Sequence, residues 1–197
     1  RELIEEERRN QIRRIRQRMV PGRYRNVAPN EFYMADQPVT WVPARKDFMR
    51  LIPLEMNIKP DGCVALDVEG AGEWGWHPFN AYPSAVWGAL SICLIQTLSY
   101  DGRANLGSLL PFSINTPVDS ILNPSELRRL ATSICWAPLL DTFGLWFGKL
   151  GEAFFMRGFR EEVFNMRSLA GWQMYGYDQY GIKRPLLISP LGSFGPG

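Results

Sequence analysis

Asp67 and Glu69 stand two residues apart in the run Cys63-Val64-Ala65-Leu66-Asp67-Val68-Glu69-Gly70, whose alternation reads as a strand. That spacing places both carboxylates on one face, the arrangement that paired acid and base work needs. Acids on the watered face of a strand give the same pattern, so both readings stand. His77 is the one histidine, set between Trp76 and Pro78 in a glycine-rich loop. It is the side chain whose ordinary pKa lies near neutrality, and it can either move protons or pack as a hydrogen-bonded ring. A single imidazole excludes a metal centre built on two or three histidines of this chain, and Cys63, Cys93 and Cys135 are too far apart for a CxxC pair. Gly70-Ala71-Gly72-Glu73-Trp74-Gly75 imitates a GxGxxG phosphate loop, but Trp76-His77-Pro78 is a poor helix start and no acidic ribose ligand follows at the right strand end. No GxSxG, Walker A or HExxH pattern is present.

These residues need elements to hold them. Residues 1–18 contain seven Arg and four Glu, with Ile4, Ile12, Ile15 and Met19 as a thin apolar stripe, and predict a solvated helix stopped at Pro21-Gly22. Its arginines form a basic block; Glu5, Glu6 and Glu7 precede them and no aromatic platform is interleaved, which favours a watered face over a nucleic-acid patch. Leu51 to Ile58 and Cys63 to Gly70 flank Lys59-Pro60-Asp61-Gly62, and an Asp-Gly turn between alternating runs predicts an antiparallel hairpin. Ser84 to Leu98 is apolar nearly all round and predicts a buried helix opened by Pro83, at roughly fifteen residues too short for a bilayer span of ~20. Phe112 to Val118 reads as a strand running to the Asn123-Pro124 turn, 125–136 as a short amphipathic segment, and Leu139 to Met166 as a second long helix. Gly144, Gly148, Gly151 and Gly158 in that helix are expected to allow close packing against a neighbour. The last thirty residues read as loops and short strands. The expected fold class is α+β, antiparallel strands with two long buried helices.

Composition sets the outer limits. A chain of 197 residues with 46% hydrophobic and 21% charged side chains is one region able to bury a core. Its net charge of +2 supplies no global field for nucleic acid or membrane, and neither is an expected partner. Odd, widely spaced cysteines with no signal peptide point to reduced thiols and the cytoplasm. An opening on Arg1 and a close on Ser193-Phe194-Gly195-Pro196-Gly197 lead us to expect an internal segment of a longer polypeptide.

The order of features resembles the middle of the hydantoinase B/oxoprolinase family. Gly22-Arg23-Tyr24 matches a G-x-Y strand, and Asp67-Val68-Glu69-Gly70 a D-F-x-G strand end. The run Asn80 to Val86 resembles an N-x-P-x-x-x-T/S-x-x helix start. The run Ile114 to Pro124 resembles a P-[IV]-x-V-x-x-P-x-G-S-x-[LV]-N-P strand and turn, and Gly192-Ser193-Phe194-Gly195 is similar to a glycine-rich G-G-x-G-A-G loop. The resemblance runs from about residue 8 to 166. Leu130 to Leu140 lacks the family's polar N-x-x-T-S-Q-R stretch and the loop Glu73-Trp74-Gly75-Trp76-His77 is unusually aromatic, departures that resemble the ketone carboxylase branch.

That resemblance implies a segment of the catalytic subunit of an ATP-dependent carboxylase, converting acetone and bicarbonate to acetoacetate in a cytoplasmic hetero-oligomer. A hydantoinase A-type ATP-binding subunit and a small third subunit would be its partners. ATP and a divalent metal, Mn or Zn, would be the cofactors of the complex. The family's metal-binding His and Asp positions lie in a region absent here, so no ligand carries over and this stretch alone is expected to be inactive. Asp67, Asn80 and Asn123 fall on motif positions, and His77, Asp67 and Asn80 are the catalytic candidates, with Trp76, His77 and Asn80 as lining of a substrate passage. The other readings are a B-type subunit hydrolysing a hydantoin or 5-oxoproline, a non-catalytic scaffold and interface segment, and a nucleic-acid-binding domain resting on the Arg-rich helix.

Overall fold

The computed structural model describes residues 1–32, 48–75, 79–102, 105–126, 136–161, 163–166, 172–177, 179–188 and 194–196. The expected α+β architecture is present. Helix α1 (Glu2–Arg18) leads into β1 (Gly22–Phe32), β2 (Phe48–Ile58) and β3 (Val64–Asp67). Then come α2 (Pro83–Thr97), a single 3-10 turn at Leu106–Ser108, β4 (Phe112–Asn115) and α3 (Trp136–Arg157). Four short strands follow: β5 (Phe164–Met166), β6 (Trp172–Tyr177), β7 (Lys183–Ile188) and β8 (Phe194–Pro196).

The main sheet has the order β1-β2-β3-β4. β1 and β2 run antiparallel from Gly22 opposite Ile58 to Phe32 opposite Phe48, and β2 turns into β3 where the hairpin was expected. Gly62 holds φ +88°, its N–H donates to the Lys59 carbonyl at 3.0 Å, and Asp61 accepts from the Cys63 N–H at 2.9 Å. A left-handed residue at that point is what the glycine supplies. β4 departs from a wholly antiparallel plan: it pairs parallel to β3, from Val64 opposite Phe112 to Asp67 opposite Asn115. A parallel neighbour requires a long crossover, and α2 lies on it. β5 pairs with β8 and β6 with β7, both antiparallel.

Alternation buries Ile52, Leu54, Met56 and Ile58 of β2 with Val64, Leu66 and Val68, while Leu51 and Glu55 face away. Against that face lie Val86, Ala89, Leu90 and Leu94 of α2 and Phe143, Trp146, Phe147 and Phe154 of α3, in one continuous core.

Three helix expectations need correction. The buried row of α1 is Glu7, Gln11, Ile15 and Met19, successive i+4 positions, while Ile4 and Ile12 are only half-buried. Its first half packs on hydroxyls: Ser108 donates to Glu7 at 3.3 Å and Ser99 to Gln11 at 3.1 Å, and Arg14 donates to Glu7 at 2.6 Å. Helix α2 is not buried all round, because Gly88, Ile92 and Ile95 face outward. Helix α3 stops at Arg157 rather than Met166. Gly158, at φ +99°, closes it: its N–H donates to Phe155 at 3.0 Å and that of Phe159 to Phe154 at 3.1 Å, a Schellman pair. Gly148, expected in a close contact, has open space where a Cβ would sit. The amphipathic segment expected at 125–136 lies almost wholly outside the described residues. Among the described residues, no helix is long and apolar enough to cross a membrane.

One substitution therefore acts with opposite signs on one helix. Gly148→Ala adds helix propensity in open space and is expected to raise stability by up to ~1 kcal/mol. Gly158→Ala forces a side chain into a left-handed position and is expected to lower it by about 1 kcal/mol. Urea midpoints of the two variants measure this.

Candidate functional site

The motif residues gather where three loops cross, at the ends of β3 and β4 and the start of α2. Asp67 closes β3. Its Oδ1 accepts from the Glu69 backbone N–H at 2.9 Å and from Asn115 Nδ2 at 3.0 Å, so it caps the turn and ties β3 to β4. Glu69 lies past the strand end and is exposed. Both acids border a shallow cleft of about 240 Å³ on the outer face of the sheet, together with Glu55 and Arg25. Arg23 and Arg25 hold the Glu55 carboxyl below the usual carboxylate range through hydrogen bonds at 2.8 and 2.7 Å.

Beyond Gly70, at φ +86°, the chain is fixed on both sides. Gly72 N–H donates to the Leu51 carbonyl of β2 at 2.9 Å, and Ile121 N–H donates to the Gly72 carbonyl at 2.8 Å. A Cβ on Gly72 would meet the Arg50 side chain, 2.9 Å from its Cβ and 2.5 Å from its Cδ. Arg50 Nε in turn donates to the Glu73 carbonyl at 3.1 Å. Gly72 thus serves a close approach, while Gly70 supplies a left-handed backbone position.

Asn80 is fully buried and joins the two ends of the following segment. Its Nδ2 donates to the Gly75 carbonyl at 2.9 Å and its Oδ1 accepts from the Gly75 N–H at 3.2 Å. Next to it, Ala81 N–H donates to the Ile121 carbonyl at 2.8 Å, so the residue before the first turn of α2 is anchored to the 116–123 loop. Asn123 performs the same kind of task, its Nδ2 donating to the Thr116 carbonyl at 2.9 Å. Trp76 and His77 lie outside the described residues; in the sequence they fall inside the span that Asn80 closes.

Three polar residues that sequence reasoning did not single out stand near these elements or across the fold. Asp119 has φ +66° and occupies the glycine position of the P-x-G-S motif. Its carbonyl accepts from Trp74 N–H and its carboxylate from the Trp74 indole, both at 3.2 Å. Hydrogen bonds from Ser125 and then Trp74 hold the Asp119 carboxyl below the ordinary range. The departure from glycine was its signal. Ser120 is buried, and its hydroxyl has no hydrogen-bond partner among the described residues. Asp141, a lone acid in the apolar run Leu139-Leu140-Asp141-Thr142-Phe143, receives a hydrogen bond from Asn30 of β1. Burial pushes its carboxyl up and the Asn30 bond pulls it partway back. Burial likewise raises the thiols of Cys63 and Cys93, both free. Among the described residues no three His, Cys, Asp or Glu side chains gather as a metal site.

Comparison with known proteins matches this geometry to one family and its structures. The family model described as hydantoinase B/oxoprolinase matches residues 2–166. The acetone carboxylase alpha subunit of Xanthobacter autotrophicus is 34% identical over 173 residues, 85% of this chain and 22% of that protein. The nucleotide-free structure of acetone carboxylase has a TM-score of 0.82 at 30% identity, over 91% of this chain and 24% of that one. An ATP-dependent caprolactamase from Pseudomonas jessenii shares the fold, with a TM-score of 0.63 at 15% identity over 94% and 29%. The chain thus spans less than a third of the length of each relative.

Two outcomes follow from the crossing. Asn80→Ala removes both bonds to Gly75 and is expected to cost about 1–3 kcal/mol in a urea titration, as a buried amide left without its partner does. For Asp119, the lowered carboxyl adds stability that is complete above the ordinary aspartate value of about 3.9 and is lost as pH falls through its lower folded value. Asn tolerates the same left-handed backbone, so wild type should exceed Asp119→Asn in urea midpoint at pH 6, and the gap should close on acidification below that value.

Proposed function

Because this chain belongs to the hydantoinase B/oxoprolinase family, we propose that it works as part of the catalytic subunit of an ATP-dependent ketone carboxylase, joining acetone or a similarly small ketone to bicarbonate. The observation that carries the reading is the 34% identity across 85% of the chain to the acetone carboxylase alpha subunit. The TM-score of 0.82 to acetone carboxylase supports it independently. Hydrolysis of a cyclic amide has weaker support, since the likeness to the caprolactamase is one of fold alone.

Within such a subunit the described motif residues act as scaffold. Asp67 joins β3 to β4, Asn80 closes the 75–80 span and Asn123 shapes the preceding turn. We place the chemical role of this stretch on His77, with Trp76 beside it, as a proton-transfer group or passage lining at the closed span. ATP chemistry belongs to a hydantoinase A-type subunit, with a small third subunit completing a cytoplasmic complex. Among the described residues no group of three His, Cys, Asp or Glu side chains could hold the divalent metal that the family implies.

The test is the full-length subunit produced with its companions and supplied with labelled bicarbonate, ATP and acetone. The expected outcome is ATP-dependent label in acetoacetate; ATP-dependent opening of hydantoin, 5-oxoproline or caprolactam without ketone carboxylation would overturn it. His77→Gln in the same complex is expected to lower kcat by about 10²-fold or more with assembly unchanged, the scale of a lost acid–base group. Carboxylation at the wild-type rate would leave this stretch as scaffold only.

A further inference from the structure

The six arginines of α1 divide into two sets. Arg8 pairs with Glu5 at 2.6 Å, Arg14 with Glu7 at 2.6 Å, and Arg18 with Asp101 at 3.7 Å. Arg9, Arg13 and Arg16 form no ion pair with a carboxylate among the described residues, although Arg9 lies close enough to Glu5 to help lower its carboxyl. Arg9 donates to the Glu5 backbone carbonyl and Arg13 to the Asn10 amide oxygen, both neutral acceptors. Their i, i+4, i+7 spacing sets them on one face spanning about 10 Å.

Arg157, at the end of α3, joins them from across the fold. Its Nε donates to the Gln17 carbonyl at 3.3 Å and its Nη2 to the Arg16 carbonyl at 3.0 Å, which fixes the guanidinium on the last turn of α1 and leaves Nη1 without a partner among the described residues. The four arginines line a cleft of about 640 Å³ with Pro21 and Pro60, and among the described residues no acidic side chain lines it. In a chain of net charge +2, this collects four positive charges in one concavity. Their mutual repulsion is a cost that a bound anion removes.

We propose that this cleft is a binding site for a small anion carrying two or more linked phosphate groups. Each phosphate accepts guanidinium forks on its oxygens, so two phosphates match four arginines. The volume lies within the range of small-molecule sites. A face of about 10 Å is too short to follow a nucleic-acid backbone, whose affinity rests on about six to ten phosphate contacts. The site is separate from the loop crossing, and the proposal does not depend on the ketone carboxylase reading.

Arginine footprinting on the assembled, full-length protein tests it. Phenylglyoxal modification is followed residue by residue by mass spectrometry, so a nucleotide bound elsewhere does not enter. Pyrophosphate and ATP are the probes, with citrate, a short oligonucleotide and an acidic peptide as comparisons. Pyrophosphate at ten times its Kd is expected to slow modification of Arg13, Arg16 and Arg157 about tenfold, with Arg8 and Arg14 unchanged as internal references. In the Arg13→Gln/Arg16→Gln variant, protection of Arg9 and Arg157 should need at least about tenfold more pyrophosphate. That variant relieves repulsion and should melt no lower than wild type. Arg157→Gln, off α1, should weaken protection of Arg13 in the same direction. Absence of saturable protection overturns the proposal, as does equal protection by citrate, protection by the oligonucleotide or acidic peptide alone, or variants that bind as wild type does.

Discussion

The backbone of Gly72 is bonded on both sides, its N–H to Leu51 of β2 and its carbonyl to Ile121. On those two bonds the arrangement of the candidate site depends. They draw the chain leaving β3 into the space between the second strand and the loop that follows β4, and only a residue lacking Cβ leaves room for the Arg50 stem. Once that crossing is made, Ala81 reaches Ile121 and Asn80 reaches Gly75, and the start of α2 is set relative to the sheet. Pro83 then begins the helix with a φ already suited to it and no N–H to satisfy.

Polar side chains do the positioning here, while the apolar core supplies most of the stability. Asn80 and Asn123 direct hydrogen bonds to backbone groups of neighbouring loops, and Asp67 Oδ1 joins the Glu69 backbone to the Asn115 side chain. A side chain so engaged is poorly placed to attack or protonate a substrate, and well placed to hold a loop that carries another residue. The polar row on α1 follows the same logic. Glu7 and Gln11 are buried because Ser99, Ser108 and Arg14 meet them, and Gly107 has no Cβ to hold the 3-10 turn away from the helix backbone. Burial of a carboxylate is tolerable only with such partners.

Elements defined by neighbours in the chain were legible in the sequence. The Lys59-to-Gly62 turn, the Pro83 helix start and the span of α1 are set by nearby glycine, proline and charge patterning, and each lies where local rules place it. Features that depend on distant partners were not. The Glu7 row of α1 reads as solvent-facing because the hydroxyls it meets are about a hundred residues away. β4 gives no sign of its parallel pairing. Gly158 reads as one more weak point in a long helix, although its left-handed conformation ends it. At the site, family order picks out Asp67, Asn80 and Asn123 without telling what each does, since a carboxylate tying two strands and one awaiting a proton have the same letter. Asp119 and Asp141 were visible only as anomalies, an acid at a glycine position and an acid in an apolar run.

The central claim is that the Asn80 carboxamide ties Gly75 to the crossing of loops, so that Gly75, Ala81 and Ile121 open as one body. Native-state hydrogen exchange on the intact protein measures this at three amides, Gly75, Ala81 and Ile121. A single cooperative unit requires all three to open together, with the same slow free energy and denaturant dependence. Gly75 exchanging at the rate of a free loop while Ala81 and Ile121 stay protected would contradict the account.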